Sequence, residues 1–266
     1  MGTDASGRVF RQAEVDSTNE RALAALRSGE ARHGDWHVAR SQRAGRGRRG
    51  ARWSDEPGLG LYATRVVRAD AAVPPPVLTM AAGLAVLELV RGLGLERAHL
   101  KWPNDVLVGA AKLAGILVEA EGLDPGPAGY AVGIGLNVGQ RAFPPDLVRD
   151  RPVTSLALEG LEVSPEAAFE GLRSAVGGRL DPLLDGAPDR LEALERDYVD
   201  ATGLLGRRVT IARGRQAVEG VLRDLSLASG LHLETASGPE IVLLEHVTRL
   251  AALEGPEPGS GTGGAQ

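Results

Sequence analysis

The 266 residues suffice for one large domain or for one domain with a small companion, and a hydrophobic content of 43% supplies a core that Leu, Val and Ala must fill because aromatics make up only 3%. The chain has no cysteine, which excludes disulfides, thiolate catalysis and Cys-ligated zinc. A net charge of −5 argues against a general nucleic-acid binder, although it is compatible with a local basic patch.

Taken from the N-terminus, Met1 to Arg11 lacks the apolar run of a signal peptide. Asp16-Ser17-Thr18-Asn19-Glu20 predicts a helix start, with Ser17 and Glu20 as a capping box, Leu23 and Leu26 on one stripe, and Gly29 as the stop. Residues 36–40 predict a short strand. In 41–50, Gly45, Gly47 and Gly50 alternate with arginines, which predicts a loop. Residues 60–67 predict a strand, and after Pro74-Pro75-Pro76 a helix runs to Gly92 with Leu78, Ala82, Ala85 and Leu89 on one face. The longest apolar stretch, 77–90, is interrupted by Thr79 and Glu88 and is too short to span a bilayer, so a soluble cytoplasmic chain without membrane contact is expected.

Residues 100–102 predict a strand ending at Pro103, and 106–108 with 113–118 a hairpin around Gly109-Ala110-Ala111. Another strand follows at 130–138, and helices are expected from Ser164-Pro165 to Leu180 and over 191–199. Beyond Gly203 only short strands are expected, at 208–211, 217–222, 231–234 and 241–244. The predicted class is α+β: a mixed sheet with packed helices over 1–200, a small β-barrel over 203–252, and a disordered Gly- and Pro-rich tail over 253–266.

Lysine occurs only at Lys101 and Lys112, and asparagine only at Asn19, Asn104 and Asn137. In so arginine-rich a chain these residues mark positions where a compact ammonium or a short carboxamide is needed, unless chance clustered them. The loop Gln42-Arg43-Ala44-Gly45-Arg46-Gly47-Arg48-Arg49-Gly50 suits a phosphate-bearing ligand, because glycines allow close backbone approach and arginines neutralise anions. It lacks the Gly-Lys-Ser/Thr ending of a Walker A loop, and a solvated basic or RNA-contacting segment reads equally well.

In Lys101-Trp102-Pro103-Asn104-Asp105, Asp105 offers a carboxylate to Mg²⁺, or the segment is a strand-terminating turn. Lys112 opening a buried strand is either a cation aimed at an anion or an edge-strand gatekeeper. Gly133-Ile134-Gly135-Leu136-Asn137 reads as a strand with two close-packing glycines. The five histidines, His33, His37, His99, His232 and His246, show no ligand spacing.

In this order the segments resemble the biotin–protein ligase family: Ser17-Thr18-Asn19, Gln42 through Gly50, Lys101 through Asp105, Lys112-Leu113-Ala114-Gly115-Ile116-Leu117, and Gly133 through Asn137, over roughly residues 14–140. The resemblance implies a catalytic domain like that of class II aminoacyl-tRNA synthetases, followed by an SH3-like barrel. It implies that ATP activates biotin to biotinyl-5'-AMP, and that biotin then passes to a lysine of a biotin carboxyl carrier protein. Ser17, Thr18, Asn19, Gln42, Gly45, Arg46, Lys112 and Gly115 would bind biotin. Arg48, Arg49, Lys101, Asn104 and Asn137 would hold ATP and the adenylate, and Asp105 would hold Mg²⁺. Lys112, Arg48 and Arg46 would act on the reacting groups. The chemistry fits: a carboxylate attacking the α-phosphorus meets negative charge that fixed cations offset, and a loop over the mixed anhydride excludes water.

The ligase motifs begin near Asp16, so no helix-turn-helix and no DNA binding are expected, with the chain a monomer or homodimer. Some members of the resembled family place a Trp over the adenine after the Asn strand; no Trp follows Trp102 here, so that role is unassigned, with Phe143 a candidate. Lipoate or octanoate transfer is the related alternative, and a non-catalytic RNA- or nucleotide-binding protein using the Gly/Arg loop is the distant one.

Overall fold

A computed structural model describes residues 7–50, 53, 56–122, 128–150, 152–214 and 216–253. They divide between Gly203 and Leu204 into two compact units.

The first unit is built on a seven-stranded sheet. Its strands are β1 (Val9–Gln12), β2 (Trp36–Ala39), β3 (Gly60–Ala69), β4 (Ala98–Lys101), β5 (Asp105–Val108), β6 (Ala111–Glu121) and β7 (Ala128–Asn137), in the spatial order β1-β2-β3-β7-β6-β5-β4. The β1–β2 pair is parallel and every other pair antiparallel, so the sheet is mixed. The helices are α1 (Thr18–Arg27), α2 (Pro75–Gly92), α3 (Pro145–Asp150), α4 (Pro165–Leu180) and α5 (Pro188–Thr202).

One face of the sheet is covered by α2 and α4, with α5 packing on α2 and β4. Here α2 departs from the sequence expectation of a single apolar face: Val77 through Leu87 is buried almost all round and Leu89 only partly, because sheet, α4 and α5 surround the helix. By length and composition α2 could cross a bilayer, but 61% of it is buried inside this unit, as in a core helix. Ser164 caps α4 by accepting from the Ala167 N–H at 3.2 Å, and Gly203, with φ of 63°, closes α5 in the left-handed region.

On the other face, α1 covers only one end. Ala22 and Leu23 pack with Val66, Ala131 and Ala31, and a side chain at Gly129 would collide with Leu26. The expected Ser17 capping box does not form: Ser17 makes no side-chain cap bond. Instead Gln42 Oε1 accepts from the Thr18 N–H at 2.8 Å, because residues 41–44 run beside 15–16 and bridge Gln42 to Val15. Glu20 turns to Arg27 and Arg46, stronger partners for a carboxylate than a backbone amide.

Sequence patterning missed β1 and α3, and it started the β6 strand late: β6 begins at Ala111, since Gly109, at φ of 58°, lets Gly109-Ala110 close the hairpin alone. The loop at 41–50 ends in a 3₁₀ turn, Arg48–Gly50.

The second unit holds a five-stranded antiparallel sheet of β8 (Arg208–Arg213), β9 (Gln216–Ser226), β10 (Gly230–Thr235), β11 (Gly238–Val242) and β12 (Arg249–Ala252), in the order β11-β10-β9-β8-β12. Its core is Val209, Ile211, Leu222, Leu225, Leu231, Leu233, Val242 and Leu250. The strand expected at 241–244 instead starts at Gly238, across a tight turn from Thr235, and gives way to the 3₁₀ turn Leu244–His246. Leu253, assigned to the tail from sequence, donates its N–H to the Arg208 carbonyl at 2.9 Å, and residues 254–266 lie outside the described residues.

Candidate active site

The strand register builds the site. Ala39 pairs with Tyr62, Tyr62 with Gly135, Gly135 with Gly115, Gly115 with Asp105, and Asp105 with Lys101. Directly paired residues share a face, so these six form one row across the sheet. The two central glycines leave a trough between Tyr62 on one side and the charged pair on the other. The neighbouring row runs His37, Thr64, Gly133, Leu117, and there α1 begins to cover the sheet.

At the charged end, Lys112 Nζ lies 2.6 Å from Asp105 Oδ1, with both side chains only 10% exposed. A register shift between Val106 and Leu107 brings Lys112 to this place. Its ammonium also stands 5.0 Å from the centre of the Trp53 ring. Asn104 builds the turn that presents Asp105: its Nδ2 donates to the Ile116 carbonyl at 2.8 Å and its own carbonyl accepts from the Ile116 N–H. Tyr198 on α5 donates its hydroxyl proton to the Pro103 carbonyl at 3.1 Å and packs edge-on to Trp102. Burial pushes the Tyr198 hydroxyl pKa well up, and negative Asp105 adds to the rise while positive Arg48 opposes it.

At the other end, Gln42 Oε1 receives both the Thr18 N–H and, at 3.1 Å, the Thr18 hydroxyl. Thr64 Oγ1 lies 2.8 Å from Thr18 Oγ1 and donates to Asn19 Oδ1 at 2.7 Å. Asn19 Nδ2 donates to the Leu117 carbonyl and to Glu119 Oε2. Both Nδ2 protons of Asn19 are therefore committed within the protein. Asn19, expected among the biotin contacts, lies in the floor of the trough, with Ser17, Thr18 and Gln42 buried beside it. Asn137 is likewise committed, its Nδ2 donating to the Thr154 carbonyl at 2.8 Å.

The Gly/Arg loop closes by a backbone bond, Trp53 N–H to the Gly45 carbonyl at 3.0 Å, which lays the indole in the trough. A side chain at Gly135 would come within 2.5 Å of that ring and one at Gly115 within 2.9 Å. The sequence leaves the stacking aromatic unassigned, with Phe143 a candidate; the aromatic that lies in the trough is Trp53, which precedes Trp102. Adjacency to the Gly/Arg run was the available signal. Thr64, Tyr62 and Glu119 were also missed, because ordinary strand residues become visible only through register.

Arg46 pairs with Glu20 and Glu119, both at 3.3 Å, and is 43% exposed. Arg48 is exposed on its 3₁₀ turn, the Arg49 side chain is outside the described residues, and Lys101 ends the row. Among the described residues no group of three or more His, Asp or Glu side chains is placed to hold a metal. Asp105 is the carboxylate in the row, and Lys112 engages it, so this donor set does not by itself make a resident metal centre.

The model of the biotin/lipoate A/B protein ligase family matches residues 12–137. The bifunctional ligase/repressor BirA of Salmonella typhimurium is 37% identical over 56% of this chain, and this chain spans 46% of that relative's length. The biotin–[acetyl-CoA-carboxylase] ligase of Paracoccus denitrificans is 34% identical, over 86% of this chain and 95% of the relative. Among solved structures, a biotin protein ligase from Aquifex aeolicus in complex with biotin and ATP superposes with a TM-score of 0.71 at 26% identity, over 92% of this chain and 99% of that one. With its site lying inside the matched segment and a relative matched over nearly its full length, the chain belongs to the biotin/lipoate A/B protein ligase family.

Proposed function

We propose that the chain is a biotin–protein ligase. The observation that carries this reading is the glycine trough ending at Lys112 and Asp105, with a polar Ser17-Thr18-Gln42 cluster at its opposite end. A ligand with a hydrogen-bonding ring at one end and a carboxylate at the other suits that layout. The ring would meet Ser17, Thr18 and Gln42, with Gly45 and Gly115 permitting close approach. The carboxylate would draw Lys112 away from Asp105.

In the first step a carboxylate oxygen of biotin attacks the α-phosphorus of ATP. The bond from that phosphorus to the bridging oxygen of pyrophosphate breaks, and biotinyl-5'-AMP forms. Lys112, with Arg46 and Arg48 from the loop, offsets the charge that accumulates in this transition state. Lys101 and Arg49 would add to the phosphate side, while Asn104 and Asn137 shape the walls. Mg²⁺ would enter with the nucleotide and neutralise phosphate charge, with Asp105 the carboxylate nearest to serve it. A ligand entering the trough must displace the Trp53 indole or pack against it.

In the second step the neutral ε-amine of a carrier-protein lysine attacks the anhydride carbonyl. The amide forms, AMP leaves, and the amine's proton goes to solvent. The acceptor would be the biotin carboxyl carrier protein of a carboxylase. The second unit would be an SH3-like barrel. We place this reaction in the cytoplasm.

Biotin-dependent exchange of pyrophosphate into ATP tests the reading, with lipoate and octanoate as controls. Exchange with biotin alone is the expected result. Exchange with lipoate or octanoate alone would move the chain to the other branch of its family, and no exchange with any of the three acids would overturn the ligase reading.

A further inference from the structure

Glu119, near the end of β6, touches both halves of the site. Its Oε2 accepts from Asn19 Nδ2 at 2.8 Å, and its two carboxylate oxygens each lie 3.3 Å from Arg46 Nη2. The two partners differ in kind. Asn19 is 3% exposed and belongs to the floor: its Oδ1 takes the Thr64 hydroxyl proton, and a side chain at Gly133 would stand 2.1 Å from that oxygen. Arg46 is half-exposed and belongs to the Gly/Arg loop, flanked by Gly45 and Gly47. A salt bridge at such exposure contributes little to global stability, about 0–1 kcal/mol. Its effect falls on where the loop sits.

We propose that Glu119 is a positioning residue that couples the Gly/Arg loop to the floor of the trough, fixing Asn19 with one hand of its carboxylate and holding Arg46 over the rim with both oxygens. This rests on the ligase reading for its consequence. A loop that covers a mixed anhydride must stay closed until an amine arrives, because opening admits water. Glu119 makes the closed position depend on a residue that is itself locked to the polar cluster of Thr18, Thr64 and Gln42. Among the described residues Glu20 pairs with Arg46 and Arg27, so it holds the loop without reaching the floor.

Two variants separate the two contacts. Glu119→Gln keeps an oxygen for Asn19 and loses the charge that attracts Arg46. Glu119→Ala loses both. The full-length chain is digested with trypsin in the absence of ligands, and cleavage after Arg46, Arg48 and Arg49 is followed by mass. In the same preparations biotin KM in pyrophosphate exchange and the release of biotinyl-5'-AMP are measured. For Glu119→Gln the expected result is loop cleavage and adenylate release both faster by about threefold or more, with biotin KM raised less than twofold. For Glu119→Ala biotin KM rises by about fivefold or more as well. Unchanged cleavage and release in Glu119→Gln would overturn the proposal, as would a Glu119→Ala variant that lowers Tm while KM and release stay put. If the wild type exchanges with none of the acids, the ligase reading falls, while the digestion still decides whether Glu119 holds the loop.

Discussion

Between β2 and β5 the two faces of the large sheet are made by alternate residues of the same strands, yet they have opposite character. The row Val38, Ala63, Ile134, Ile116 is buried, and Ile116 reaches α2 beside Gly83. One residue along each strand, the row Ala39, Tyr62, Gly135, Gly115, Asp105, Lys101 ends in charge and is hollow in the middle. Side-chain alternation with a period of two lets one set of hydrogen bonds support both a tightly packed surface and a binding surface. The covered face therefore determines whether the protein folds, and the hollow face determines what it does.

The contrast can be broken most severely by filling the hollow. Gly135→Leu should abolish biotin-dependent exchange while moving Tm by only a few degrees, since the new side chain enters the trough that Trp53 occupies; exchange assays beside thermal melts check it. Lys112→Ala should lower the exchange rate by about 10²–10³-fold, the usual effect of removing one transition-state donor. It also strips a partner from Asp105, so Lys112→Met combined with Asp105→Asn should recover Tm and leave the rate low. A near-normal rate in Lys112→Ala would remove Lys112 from the mechanism.

The covered face should answer in the opposite way. Ile116→Ala should cost about 2–5 kcal/mol of stability, read from denaturant unfolding, with biotin KM unchanged in the folded fraction. Arg48→Gly should leave stability alone and speed adenylate release severalfold, because it removes one loop cation.

The smallest expected effect concerns acid. On the covered side Arg65 reaches Asp181 at 2.7 Å and His33 approaches the same carboxylate at 3.2 Å. Burial alone would raise the Asp181 pKa, but hydrogen bonds from His33 and Arg65, with their charges, outweigh it and hold the carboxyl below its usual range. A carboxylate depressed on folding contributes fully above its unfolded pKa, about 3.9, and loses that contribution as pH falls through the folded value. Tm should therefore drop below about pH 4, and Asp181→Asn should flatten that limb while leaving exchange at neutral pH unchanged.

Part of this candidate site is legible in the sequence. The scarce residues gather at the candidate site: Lys101, Asn104 and Lys112 lie at one end of the trough beside Asp105, and Asn19 at the other. Helix α2 and the hairpin of β5 and β6 were readable because apolar runs and a Gly-containing turn are local signals. What stayed hidden is non-local. That Gln42 rather than Ser17 caps α1 depends on residues 41–44 running beside 15–16, which no spacing rule encodes. The contact of Asn19 with Glu119 needed the register of β6 against β7. β1 lacks the alternating pattern of a typical strand, and its parallel pairing with β2 gave no hairpin cue.

On the ligase reading, the ion pair of Lys112 with Asp105 bears on how far the chain is exposed to its own adenylate. A biotinyl mixed anhydride acylates whatever neutral amine it meets. Lys112 is buried and ion-paired, Lys101 ends the same row, and the remaining cations of the sequence are arginines and histidines. Guanidinium, protonated below about pH 12, is no nucleophile at neutral pH. A chain with this inventory offers escaping reagent almost no side-chain amine of its own, so self-labelling should be slight, and reagent that leaks will tag neighbours instead.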